Sequence, residues 1–200
     1  MSTDLMVLQT LLNRYSVGPK HLLEPGPDRA QLQLMVEAAL RAPDHGELLP
    51  FRFLVVSGDA RQAMADLFVV AGRAAGKDAA AAALDAERAL RAPVSVAVVA
   101  RIDQGHPLVP AHEQWACVGG ALTNFLNAAH LLGFGGKMLS GAKVRDPGLV
   151  AAFCGPGETL LGWIALGTPA KRGAGPARKG GVEAALVEWT GAATAASKPS

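Results

Sequence analysis

Residues 111–141 read AHEQWACVGGALTNFLNAAHLLGFGGKMLSG. The stretch opens as one long helix, from about Ala111 to Leu132, and Gly133 ends it. From Trp115 to Leu132 the residues are apolar nearly all round, and a helix of that kind must be buried. Gly133-Phe134-Gly135-Gly136-Lys137-Met138-Leu139-Ser140-Gly141 follows the helix and precedes a strand. A dinucleotide-binding fingerprint needs the opposite order, strand then glycines then helix. The glycines therefore read as a helix cap followed by a tight turn, and the doubly wound α/β architecture is set aside.

Working outward, a short helix over Pro147–Phe153 leads to a strand over Thr159–Gly167. Before the long helix lies a loop, 101–110, with Pro107 and Pro110. It follows the strand Val94–Ala100, whose unbroken apolar run implies burial on both faces. A helix over Ala60–Arg73, closed by Gly76, precedes an alanine-rich helix over Asp78–Arg91. Phe51–Val56 is a strand closed by Ser57-Gly58-Asp59. Asp28 is an N-cap for a helix over Arg29–Arg41, which puts Leu32, Met35, Val36 and Ala39 on one face. The first helix runs from about Asp4 to Tyr15 with Leu5, Leu8, Leu11 and Leu12 on one stripe. Helices outnumber widely separated strands, which gives an α+β class: a small sheet with helices around it. At 200 residues the expectation is one domain, with a core over about 4–170 and a Gly/Ala/Lys-rich tail over about 171–200.

Half the residues are apolar and 18% are charged, enough to bury a core. The net charge of +2 gathers at Lys171, Arg172, Arg178 and Lys179, so no general nucleic-acid surface is expected, although the cluster could meet one phosphate. Cys117 and Cys154 form no CxxC pair and no zinc set, and read as reduced thiols in the cytoplasm. The start of the chain lacks the features of a signal peptide. Asn124, Asn127 and His130 argue against a membrane span within the long helix.

Self-sufficient catalysis finds little support: GxSxG and HExxH are both absent. His45 beside Asp44 could be half of an acid–base pair, though a His in a loop after a helix is more often a surface hydrogen-bonding residue. Asn13-Arg14-Tyr15-Ser16 could grip a phosphate, Arg14 by charge and Ser16 by its hydroxyl, or could simply close a helix. Gly167-Thr168-Pro169-Ala170-Lys171-Arg172 ends a strand with two cations, as a phosphate contact or a solvated basic tail.

These segments, with Arg41-Ala42-Pro43-Asp44-His45 leading to Pro50-Phe51 and the glycine-rich run ending at Ser140-Gly141, stand in an order that resembles the compact bacterial nitroreductases over roughly residues 5–172. The resemblance implies FMN bound noncovalently at the interface of an intertwined homodimer. NAD(P)H would be the co-substrate, and a nitroaromatic, quinone or similar small molecule the acceptor, by a ping-pong mechanism. It implies no catalytic side chain and no metal, since the flavin carries the reaction. Arg14, Tyr15 and Ser16 inherit the flavin phosphate and ribityl region. Met138, Leu139 and Ser140 inherit the stretch along the flavin, and Lys171 or Arg172 the cation after the Gly-Thr-Pro turn. Arg41 and His45 are expected to reach the flavin from the other subunit, Arg41 as the cation that favours its reduced form.

Two positions depart from the family pattern. Met138-Leu139-Ser140 stands where relatives often have Trp-Arg-Ser, with Lys137 as the expected replacement for the arginine. Leu49-Pro50-Phe51 stands in place of Gln-Pro-Trp. Both changes make the pocket less polar. They leave room for a flavin- or ligand-binding dimer without turnover, and the same fold also serves flavin destruction and reductive dehalogenation.

Overall fold

The computed structural model describes residues 3–171, 173, 175, 181–189 and 191. Its helices are α1 (Thr3–Leu12), α2 (Arg29–Ala39), α3 (Ala60–Ala74), α4 (Ala79–Ala89), α5 (Ala111–Leu131) and α6 (Pro147–Phe153). Its strands are β1 (Leu22–Leu23), β2 (Phe51–Val56), β3 (Val94–Ala100), β4 (Gly135–Leu139) and β5 (Thr159–Pro169). All pair antiparallel, in the order β1-β5-β3-β2, with β4 also on β5. The fold is α+β, as expected from helices that outnumber widely separated strands.

Period-two alternation along β3 explains its uniform apolarity. Val94, Val96, Val98 and Ala100 pack with Met35 and Ala39 of α2 and with Val118 and Phe125 of α5. Ala97 and Val99 join Met64 and Ala71 of α3 and Leu149 and Phe153 of α6. The sheet is thus covered on both faces around its middle strands. Asp28 caps α2 in a reciprocal box: Gln31 N donates to its Oδ1 at 2.8 Å, and Asp28 N donates to Gln31 Oε1 at 2.9 Å.

One expectation is corrected. The first helix ends at Leu12, because the chain beyond it is held to the sheet: Val17 N donates to Gly136 O at 3.1 Å, and Ser16 bridges Gly136 in parallel. Within the single chain, α5 is covered on one side. Cys117, Val118, Ala121 and Phe125 are buried, but Trp115, Gly119, Thr123 and Leu131 are exposed. Among the described residues, no helix is long and apolar enough to cross a membrane.

Candidate functional site

The paired glycines of β4 set the site's geometry. A Cβ on Gly135 would lie 2.9 Å from Leu22 Cδ2 and 3.1 Å from Val17 Cβ. One on Gly136 would lie 3.0 Å from Leu126 and Leu166. Only glycine lets the Tyr15-Ser16-Val17 segment lie this close to the strand. Tyr15, Ser16, Gly18, His21 and Lys171 then border one hollow of about 310 Å³, where the Tyr15 hydroxyl donates to Lys171 O at 3.4 Å. Gly18 also borders a second cavity of about 440 Å³, within the range of small-molecule sites.

The walls of the larger cavity are apolar, from Met64, Phe68, Leu139 and Trp163. Its rim is cationic, from Lys20, Arg88, Arg91 and Lys143. Asp85 is buried at its edge and accepts from Lys77 Nζ at 2.6 Å and Lys143 Nζ at 2.8 Å. Burial alone would push the Asp85 carboxyl up, but the hydrogen bonds and charges of the two lysines outweigh it and hold it below the usual carboxylate range. Trp163 is buried, and its Nε1 has no hydrogen-bond partner. An apolar slot with cations at its rim suits a flat aromatic ring with polar edges. The hollow bordered by Ser16 and Lys171 suits an anionic tail.

The Arg41–His45 loop lies elsewhere and borders neither cavity. His45 Nδ1 pairs with Glu113 Oε2 at 2.8 Å, so its partner is a carboxylate of α5 rather than neighbouring Asp44. Asp44 instead accepts from Leu48 N at 3.3 Å and Leu49 N at 2.8 Å. Those bonds hold a turn in which Glu47 and Leu49 take the left-handed region, at φ 53° and 49°. Burial, with the nearby Asp44 charge, pushes the Cys117 thiol up to about 11, so it stays protonated near neutral pH.

Of the residues singled out in the sequence, Tyr15, Ser16 and Lys171 border the smaller hollow and Leu139 and Ser140 the larger one, and Gly18 borders both. Arg14 is half-buried just before them. Lys137 is exposed on β4 and borders neither hollow, and Met138 packs against the α2–α5 core. Arg41 is exposed at the end of α2. Arg172 lies outside the described residues, as do Arg178 and Lys179.

Sequence reasoning missed Lys20, Phe68, Asp85, Arg88, Lys143 and Trp163. One signal was available. Asp85 lies three residues after Ala82 on the buried stripe of an alanine-rich helix, and a buried carboxylate requires a cation. No group of three or more His, Cys, Asp or Glu that could hold a metal occurs among the described residues.

Fold and cavity define a small α+β protein with a cation-rimmed apolar cleft beside a glycine-paired strand. The profile of the nitroreductase family matches residues 11–168, and the chain belongs to that family. YdjA of Escherichia coli K12, a provisionally named NAD(P)H nitroreductase, is 36% identical over 163 residues, covering 81% of this chain and 87% of that protein. A nitroreductase-like family protein from Bacillus cereus superposes with a TM-score of 0.75 at 20% identity, over 90% of this chain and 94% of its own. A provisionally assigned nitroreductase from Desulfovibrio desulfuricans, solved in complex with FMN, superposes with a TM-score of 0.67 at 24% identity, over 91% and 95%.

Proposed function

We propose that the protein is an FMN-dependent oxidoreductase that draws on NAD(P)H and reduces nitroaromatics, quinones or similar acceptors. The observation that carries this reading is the pair of neighbouring hollows that both border Gly18: an apolar, cation-rimmed slot, and a second hollow bordered by Ser16 and Lys171. Family membership, the NAD(P)H in the name of the E. coli relative and the FMN in the D. desulfuricans structure support it. The chemistry FMN supplies when bound is hydride acceptance from NAD(P)H and electron delivery to the acceptor; one site serving both in turn implies ping-pong kinetics.

The chain's part is to bind and orient. Arg14, Ser16 and Lys171, with Arg172 beyond the described residues, hold the phosphate, and Tyr15 fixes Lys171 through its carbonyl. Leu139 and Ser140 line the ring, with Lys137 and Met138 setting the strand that carries them. Arg41 and His45 serve the site of a second copy. A homodimer is further supported by exposed apolar side chains on α1 and by the uncovered face of α5. The free thiols of Cys117 and Cys154 suit a cytoplasmic setting.

The test is the visible spectrum of the purified protein before and after NADPH under anaerobic conditions. Bands near roughly 370 and 450 nm that bleach are expected of a flavoenzyme. A colourless protein that takes up no added FMN overturns the reading in favour of a cofactor-free dimer.

A further inference from the structure

Lys143 stands where the cavity wall meets a buried ion cluster. It follows Ser140-Gly141 directly, in the turn Ala142–Arg145. Its ammonium donates to Asp85 at 2.8 Å and lies 5.4 Å from the centre of the Phe68 ring. Phe68 in turn meets the Trp163 indole edge-on at 5.0 Å. Asp85, Phe68, Lys143 and Trp163 all border the same cavity, whereas Lys77, the other lysine on Asp85, does not. The cluster holds two ammoniums and one carboxylate, so one positive charge is left over. Apolar walls on either side reduce the screening of that charge.

We propose that Lys143, held by Asp85 against the Phe68 ring, is a cation that each chain contributes to its own FMN, where it favours the reduced, negatively charged form over the oxidised one. The assignment rests on the FMN reading above. It also corrects the expectation that Lys137 replaces the arginine of relatives: Lys137 is exposed and borders neither hollow, while Lys143 is fixed at the wall. Arg41, expected from the second copy, is a separate charge. Asp85 is a positioning residue that acts through Lys143.

The experiment is a redox titration of FMN-loaded wild type, K143M, K143Q, K143R and K77M. In K143M and K143Q the reduced cofactor is held about tenfold less well relative to the oxidised one, a midpoint about 30 mV lower for a two-electron couple. K143R keeps the charge and stays close to wild type. K77M, which removes a charge that does not border the cavity, lowers the midpoint less than K143M does. Each of these variants leaves Asp85 one cation, so the buried carboxylate is not stranded. A wild-type midpoint in K143M and K143Q overturns the assignment, and so does an equal fall in K77M, which would trace the effect to the ion cluster as a whole. If wild-type protein takes up no FMN, the functional reading fails. If it does and the Lys143 variants titrate like wild type, only the assignment of Lys143 fails.

Discussion

Strand β3 and helix α1 are both apolar, and they meet opposite fates. Every residue of β3 is buried, because α2 and α5 cover one face of the sheet and α3 and α6 the other. Helix α1 buries none of its residues: Leu5, Met6, Val7, Leu8 and Leu12 are all exposed. It is tied to α5 by a hydrogen bond between His130 Nε2 and Thr10 O, at 2.9 Å. Apolarity in a sequence says that a surface will be covered; it does not say whether the cover comes from the same chain. For β3 it does, and for α1 the proposed cover is a second copy.

The sharpest way to break this comparison is to put charge into each element. Val98→Asp places a carboxylate without a partner between α5 and the sheet, at a cost of about 4 kcal/mol or more. The expected result is no cooperative melting transition. Leu8→Glu with Leu12→Glu puts two charges on α1, where water already reaches them. The helical circular dichroism should survive while sedimentation shows the proposed dimer dissociating at low micromolar concentration. A double variant that stays dimeric would show that α1 lies outside the interface. One that unfolds as Val98→Asp does would make α1 part of the fold's own core.

What was legible in the sequence follows the same division. The β3 run, the Asp28 cap, the Gly133 stop and the strand before Gly167 could all be read, because each depends on neighbours close in sequence or on the sheet face of the chain itself. The end of α1 could not. Residues 13–15 suit a helix locally, and only the distant Gly136 carbonyl draws Ser16 and Val17 out to the sheet. Of the candidate site, the sequence pointed to residues near glycines and turns that border the two hollows: Tyr15, Ser16, Leu139, Ser140 and Lys171. Asp85, Lys143 and Trp163 were not legible, since their meaning arises from a contact across 58 positions and from a shared cavity wall. His45 was legible as a polar loop residue, but its partner Glu113 sits 68 positions away and the sequence offered the adjacent Asp44 instead.

A middle-sized effect sharpens the account of how the sheet's outer strands are held. Glu158, just before β5, takes Arg52 of β2 and Arg101 beyond β3, with Arg101 Nε at 2.7 Å. The Arg52 hydrogen bonds lead in pulling its carboxyl down from 4.5 to about 2, against burial, with Gly155 N and Arg101 adding to them. A carboxyl depressed in the folded state adds stability that is full above the unfolded value near 4.5 and is lost as pH falls toward about 2. Glu158→Gln should therefore lower stability near neutral pH by about 1–2 kcal/mol once the partly exposed arginines are screened, seen as a lower melting temperature. Its melting temperature should fall less than that of wild type between those two pH values. Parallel melting curves across that window would mean that the network contributes nothing.

The smallest expected effect returns to the contrast between covered and uncovered helices. Asp28→Ala removes the acceptor for Gln31 N and breaks the reciprocal cap of α2, at a cost of about 1 kcal/mol. The buried face of α2, Met35 and Ala39, packs on α5 of the same chain. The loss should therefore appear in the denaturant midpoint of the chain, with the association constant unchanged. A variant that melts like wild type but dissociates more readily would place the start of α2 among the surfaces that a second copy covers, alongside α1, and would move the line between what this chain buries for itself and what it leaves for its partner.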